Sequence, residues 1–272
     1  MSDLRTQENP TPELEGVRVL RELDGAVAVL SMNSAPHNLF DIELTNELIA
    51  GITWAVEQGA RAIVLRSALR HFSAGANLPE LMRNVDEGGG VLAHSPVDFL
   101  RAFAAVPVPI IASVHGACVG GGLEAALACD LIIAAESAQI GSVEPMLGLH
   151  PLMGAIQRVA QRAGAARAAE MAMLGRRYDA ATLERWNIIN RVVPDEQLDD
   201  ATMVLAQELA HGPTIAHAAT KKLIQVALDE GVTAADDAMN ELERPIFASS
   251  DFANAAQSFI TEGPGMATFE GR

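Results

Sequence analysis

A glycine run followed at once by an acid stands near the middle of the chain, in Gly120-Gly121-Gly122-Leu123-Glu124. Glycine lets a backbone approach a ligand closely, and the first N–H groups of a helix have no partner within the helix. Because apolar residues follow the glycines, the run predicts a short helix whose start could seat a developing anion, with the Glu124 carboxylate beside it. An isolated glycine run is equally typical of a tight turn with Glu124 in solvent.

Two more loops of small residues could contribute to the same site. Phe72-Ser73-Ala74-Gly75-Ala76-Asn77-Leu78 follows a short apolar strand predicted for residues 62–65, and Gly141-Ser142-Val143-Glu144 ends on a second carboxylate. Ionising both of two carboxylates in one apolar pocket has a high free-energy cost, so one of them would hold a proton near neutral pH. Such a pair provides an acid and a base in one site. The alternative for Glu144 is an ordinary acid on a surface loop.

Composition narrows the class of protein. The 272 residues are 49% hydrophobic and 20% charged, which is enough to bury a sizeable core. A formal charge of −16 argues against binding to nucleic acid or to an anionic membrane. Cys118 and Cys129 lie in the central apolar stretch and are expected to be reduced core residues, as in a cytoplasmic protein. No Cys/His spacing predicts a metal site, and no apolar run is long enough for a transmembrane helix.

The hydrophobic pattern predicts an α/β core followed by helices alone. A hairpin is expected at residues 17–23 and 26–32, and Asp41 is expected to cap a helix ended by Gly59. Gly88 to Gly90 predict a surface loop. The remaining expected strands are 110–114, 131–134 and 189–193, and the expected helices are 99–105, 156–163, 165–174, 180–186, 198–210, 214–228, 234–243 and 253–259. We therefore expect a loose N-terminal extension at 1–16, an α/β core at 17–197 and a helical C-terminal region at 198–272.

The three loops together resemble the signatures of the enoyl-CoA hydratase/isomerase (crotonase) family, in that family's order. The segment from Asn33 to Asn38 resembles its first loop, and Gly148-Leu149-His150-Pro151 with Gln157-Arg158 resembles the segment after its second glutamate. The resemblance covers roughly residues 17–271. It implies a spiral of ββα units with a C-terminal α-helical trimerisation region, and hence a homotrimer or a dimer of trimers.

The resemblance also implies a site for an acyl-CoA thioester. The backbone N–H groups of Ala76 and Gly121 would form the oxyanion hole, and Glu124 and Glu144 would be the catalytic acid and base. Mapped in the same way, the residues that would contact the substrate are Ser34, Ala35, His37, Ser73, Ala74, Gly75, Asn77, Leu78, Gly120, Leu152 and Met153. No metal or redox cofactor is expected, since CoA is part of the substrate.

The implied chemistry has a physical basis of its own. Reactions next to a thioester carbonyl pass through an enolate, and fixed donors at the place where its charge develops lower the barrier. We expect a hydratase in which Glu124 activates water for attack on C3 and Glu144 protonates C2. The nearest alternative is a Δ3-Δ2-enoyl-CoA isomerase that uses Glu144 alone. Another is a non-catalytic member that binds an acyl-CoA or RNA, and the negative charge disfavours RNA.

Several positions depart from the family pattern. Asn77 stands where Asp is usual, and Ser142-Val143 replaces a common Gln-Pro. Pro151-Leu152-Met153-Gly154-Ala155 replaces a Pro-Gly-Ala-Gly-Gly-like run, so that Leu152 and Met153 could narrow the acyl pocket, change substrate choice or displace the water. The C-terminal segment 259–265 lacks the basic residues that relatives often place near the CoA phosphates. The remaining basic candidates, each with ordinary surface charge as the alternative, are Arg66, Arg70, Lys221 and Lys222.

Overall fold

Every predicted strand and helix has a counterpart in the structure, although some elements were not predicted. A computed structural model describes residues 18–86 and 96–272, so the predicted N-terminal extension and the Gly88–Gly90 loop lie outside the described residues. The strands are β1 (Val19–Asp24), β2 (Val27–Met32), β3 (Ala62–Ser67), β4 (Ile110–Val114), β5 (Ala117–Val119), β6 (Leu131–Ala135), β7 (Gln139–Gly141), β8 (Tyr178–Asp179) and β9 (Arg191–Val193). The helices are α1 (Ile42–Glu57), α2 (Leu78–Asp86), α3 (Pro96–Ala105), α4 (Gly121–Ala128), α5 (Ala155–Ala163), α6 (Ala165–Leu174), α7 (Ala180–Arg185), α8 (Leu198–Ala210), α9 (Thr214–Glu230), α10 (Val232–Ala248) and α11 (Ser250–Thr261).

The larger sheet has six strands in the order β1-β2-β3-β4-β6-β9. The β1–β2 hairpin is antiparallel, and the other pairs are parallel. Strands β2 and β4 are buried along their whole length, as expected of a sheet covered on both faces. Helix α1 covers one face with Leu44, Leu48 and Ile52, while α8 covers the other with Leu198, Ala206 and Ala210.

A second, smaller sheet contains the strands that lead into the glycine run and into the loop that carries Glu144. Its strands run in the order β5-β7-β8, and the loop before α2 joins it through a bridge between Ser73 and Cys118. Each of these strands has two or three residues, too few for a hydrophobic period to show. The predicted elements therefore missed this sheet, although it brings the three small-residue loops together.

The predicted cap of α1 is confirmed. Asp41 has extended backbone torsions, and its side chain accepts a hydrogen bond from the N–H of Leu44. A second bond from Arg18 reaches the same carboxylate at 2.6 Å. Asp41 therefore fixes the start of α1 beside the loop that carries Ala76.

The C-terminal helices pack differently from the core. Helix α9 has no buried side chain, and α10 buries only Ala235. Large apolar side chains are exposed here, among them Val232, Phe259 and Ile260. Helix α10 runs on to Ala248 through Pro245, five residues beyond its predicted end. Within the described ranges, no helix combines the length and apolar character needed to cross a bilayer.

Candidate active site

The small-residue loops meet at a cavity of about 370 Å³. Its wall is mostly apolar, and both candidate carboxylates line it. The predicted site residues found in this wall are Ala74, Gly75, Ala76, Leu78, Gly120, Gly121, Glu124, Glu144, Leu152 and Met153. The sequence motifs therefore converge on one concave site in the described part of the chain.

The glycine run places the backbone close to two other loops. Gly120 has φ 54°, and a Cβ there would lie 3.5 Å from the Gly75 Cα and 3.4 Å from the Glu144 Oε1. Its N–H donates to the carbonyl of Gly141 at 3.0 Å. Gly121 follows as the first residue of α4, so its N–H has no partner within the helix. The run thus presents a helix start to the cavity, as predicted.

At Ala76 a β-bridge, rather than a helix start, orients the backbone. Phe40 pairs with Ala76 in a parallel bridge, in which the Phe40 N–H donates to Gly75 and the Phe40 carbonyl accepts from Asn77. The bridge uses the groups on either side of Ala76, so the N–H of Ala76 itself points away from Phe40. Ala76 is exposed and lines the cavity. Two backbone donors, on separate loops, therefore belong to one wall.

Glu124 is almost fully buried, with 3% of its surface exposed. Its Oε1 accepts hydrogen bonds from the backbone N–H groups of Met153 at 2.6 Å and Ala155 at 3.2 Å. Burial raises the pKa of Glu124 from 4.5 to about 7, and the charge of Glu144 adds to the rise while the two N–H donors oppose it. At neutral pH this carboxyl group can therefore both accept and release a proton.

Glu144 begins a short 3₁₀ turn, Glu144–Leu147, and is 9% exposed. Burial raises its pKa as well. Its Oε2 is buried and has no hydrogen-bond partner among the described residues. A buried polar atom without a partner is rare, and in a cavity wall a bound ligand or water can supply the missing donor.

The other predicted contact residues lie behind or outside this wall. Ser73 is buried, and its hydroxyl donates to the Asn38 carbonyl and accepts from the Gly75 N–H. Asn77 bonds to Asp41 and accepts from the N–H of Glu80 at the start of α2. Both residues fix the Ala76 loop. The first-loop residues Ser34, Ala35 and His37 do not line the cavity, although the His37 carbonyl accepts from the N–H of Ala74.

Some lining residues gave no signal in the sequence. Phe40 precedes the predicted cap Asp41, and Arg177 lies between two predicted helices, outside any motif. The unpredicted members of the wall include Phe40, Ile42, Thr45, Leu81, Met146, Leu147, Leu149 and Arg177. Most of them are apolar side chains from separate elements, and only the three-dimensional fold gathers them.

Two of the basic candidates have internal partners. Lys221 donates to the Asp130 carboxylate at 2.6 Å and to the Val108 carbonyl at 2.9 Å. Arg66 donates to the Ser31 hydroxyl and pairs with Glu22. Across residues 18–86 and 96–272, no three His, Cys, Asp or Glu side chains cluster in a way that could hold a metal ion.

Comparison with known proteins gives the same family as the motifs. A family model described as Enoyl-CoA hydratase/isomerase matches residues 22–269. A probable enoyl-CoA hydratase from Rhizobium meliloti is 32% identical over 90% of this chain and 95% of its own length. The 1,2-epoxyphenylacetyl-CoA isomerase of Escherichia coli K12 is 31% identical over 90% of this chain and 95% of its own.

Solved structures agree on the fold. An enoyl-CoA hydratase subunit I from Geobacillus kaustophilus matches with a TM-score of 0.86 at 30% identity, covering 94% of this chain and 99% of that one. An enoyl-CoA hydratase from Bacillus anthracis matches with a TM-score of 0.85 at 25% identity, covering 94% and 100%. The predicted crotonase-like α/β fold is confirmed, and the chain belongs to the enoyl-CoA hydratase/isomerase family.

Proposed function

We propose that this protein is an enoyl-CoA hydratase-like lyase that adds water across the C2=C3 double bond of an enoyl-CoA thioester. One observation carries the proposal: two buried carboxylates, Glu124 and Glu144, line the same cavity as two backbone positions suited to an oxyanion hole. Relatives named as probable enoyl-CoA hydratases support it. The acyl-CoA thioester is the small-molecule partner, and its CoA part makes a separate cofactor unnecessary.

The oxyanion hole would act on the thioester carbonyl. In the proposed complex this oxygen accepts hydrogen bonds from the N–H groups of Ala76 and Gly121. Attack of water on C3 pushes electrons onto the same oxygen, so the enolate charge develops where the donors already point. Because both donors belong to the backbone, they need no reorganisation during the reaction.

The two carboxylates would then divide the proton transfers. With a pKa of about 7, Glu124 is partly ionised at neutral pH and can take a proton from water as the O–C3 bond forms. Glu144, whose pKa is raised, donates a proton to C2 as the enolate collapses. The turnover leaves Glu124 protonated and Glu144 ionised, and proton exchange with solvent restores the starting state.

Isomerisation is the second candidate, and one feature of the cavity favours it. Leu152 and Met153 both line the wall, and the N–H of Met153 contacts the Glu124 carboxylate. If these side chains displace the water, Glu144 alone could move a proton between C4 and C2. The Escherichia coli isomerase among the relatives supports family chemistry other than hydration.

Assembly and location form part of the proposal. We propose a homotrimer or a dimer of trimers, because large apolar side chains on α10 and α11 are exposed, with Val232 at 71% and Ile260 at 79%. A cytoplasmic location is supported by the two cysteines, which are buried and free. The negative charge remains the argument against a nucleic-acid or anionic membrane partner.

The test is an activity assay on the purified protein. Crotonyl-CoA and longer 2-enoyl-CoAs are followed by loss of the ultraviolet absorbance of the conjugated double bond, and a 3-enoyl-CoA is assayed in parallel. Hydration of the 2-enoyl series supports the proposal. Conversion of the 3-enoyl-CoA alone would favour the isomerase, and acyl-CoA binding with neither reaction would favour a non-catalytic family member.

A further inference from the structure

The turn before α5 holds the Glu124 carboxylate. Oxygen Oε1 of Glu124 accepts from the N–H groups of Met153 and Ala155, which flank Gly154. Gly154 has φ 99° and is the residue that caps the start of α5. Any displacement of this turn would therefore move both donors, and the carboxylate with them.

Arg158, in the first helical turn of α5, contacts the backbone of Gly154. Its backbone N–H and its Nη1 both lie 3.4 Å from the carbonyl oxygen of Gly154. A Cβ at position 154 would overlap the Arg158 Nη1 and would lie 2.9 Å from the Leu100 Cδ1. The space that glycine leaves open is thus filled by the guanidinium group, which packs directly on the peptide between the two donors.

The charge of Arg158 also acts on Glu124. Arg158 is half-buried and has no ion-pair partner among the described residues. Burial has the largest effect on the pKa of Glu124 and raises it, and the positive charge of Arg158 has a smaller effect that lowers it. The other charged groups that act on this pair are Glu144, whose charge acts on Glu124, and Asp229 and Arg162, which interact electrostatically with Arg158.

We propose that Arg158 is a positioning residue for Glu124: it holds the Gly154 turn that presents both N–H donors, and it supplies a positive charge that favours the ionised carboxylate. The catalytic consequence rests on the proposed function, in which Glu124 is the base. Loss of the charge should leave less of Glu124 ionised at neutral pH. Loss of the contact with Gly154 should loosen the carboxylate.

Two substitutions distinguish the effect of the Arg158 charge from the effect of its contact with Gly154. Arg158→Gln removes the charge, and Arg158→Lys keeps the charge but lacks the planar group that lies over Gly154. Gln161→Ala, at an exposed position on the same helix, is the control. In the pH–rate profile of hydration, Arg158→Gln should move the rising limb to higher pH, because the ionised form of Glu124 loses a stabilising positive charge. Arg158→Lys should leave the limb in place and lower kcat about tenfold at unchanged KM.

A second readout does not depend on activity. The pH dependence of unfolding is measured for each Arg158 variant with and without Glu124→Gln. In the Arg158→Gln background, the stability gained by Glu124→Gln at pH 8 should exceed the gain in the wild-type background, because ionised Glu124 has lost its opposing cation. An equal gain, together with an unshifted rate limb, would overturn the proposal.

The remaining outcomes are also decisive. If Arg158→Gln does not fold, wild-type kcat in Arg158→Lys would overturn the proposal, and a lowered kcat with an unshifted limb would support it. If the wild-type protein hydrates no enoyl-CoA, the proposed function fails, and the unfolding measurements still decide the role of Arg158.

Discussion

Replacing Glu124 by Gln should stabilise the folded protein above neutral pH. Gln keeps the size of Glu and an oxygen that can accept from the N–H groups of Met153 and Ala155, but it carries no charge. The native carboxylate must ionise in a buried wall where Glu144 also lies. The substitution removes that penalty and leaves the packing of the site nearly unchanged.

The size of the effect follows from the pKa of Glu124, which burial raises from 4.5 to about 7. Because the pKa is higher in the folded state, the folded state binds the proton more tightly than the unfolded state does. The free energy of unfolding therefore falls as pH rises from 4.5 through 7. At about 1.4 kcal/mol for each pH unit in that window, the ionised Glu124 costs about 3 kcal/mol of stability at pH 8. At pH 5 the same cost is below about 1 kcal/mol.

Unfolding by denaturant at equal protomer concentration, followed by circular dichroism at pH 5 and pH 8, measures the difference. We expect the gap between Glu124→Gln and the wild type to widen from below about 1 to about 3 kcal/mol over this range. A gap that stays constant, or a variant less stable than the wild type at pH 8, would refute the idea that Glu124 ionises against a burial penalty.

Two further predictions concern the oxyanion hole and the assembly. Gly121→Val should lower hydration by about 10²–10³-fold. A side chain at this position would press on Phe40, 3.4 Å from the added Cβ, and would crowd the thioester. Wild-type turnover in a folded variant would show that the Gly121 N–H is not a donor of the oxyanion hole. Light scattering at micromolar concentration should give the mass of a trimer or hexamer rather than that of the 28.7 kDa protomer. The reason is that α9 has no buried side chain within the protomer. A monomeric mass would contradict the proposed assembly.

The sequence predicts features that depend on neighbouring residues. Asp24-Gly25 marks the β1–β2 hairpin, and Asp41 marks the start of α1, because a turn or a cap is decided within a few positions. The glycine run predicts the start of α4 for the same reason.

The hydrophobic pattern of the sequence could not predict contacts between segments that are far apart in the chain. The N–H donors that hold Glu124 come from the Met153–Ala155 turn, about 30 residues further along the chain. Lys221, a candidate for CoA phosphates, instead pairs with Asp130, which lies 91 residues earlier in the chain. Neither partner shows in local hydrophobic periods, since both contacts arise from the packing of one helix against another element.

The central claim is that Glu124 and Glu144 act together in hydration, and single and double Gln variants test it most directly. Each single substitution should lower the rate of crotonyl-CoA hydration by at least about 10²-fold. The double variant should be far less than multiplicatively worse, because the carboxylates act as a unit. Hydration that survives Glu124→Gln and collapses in Glu144→Gln would favour an isomerase-like site, and hydration that survives both changes would contradict the account.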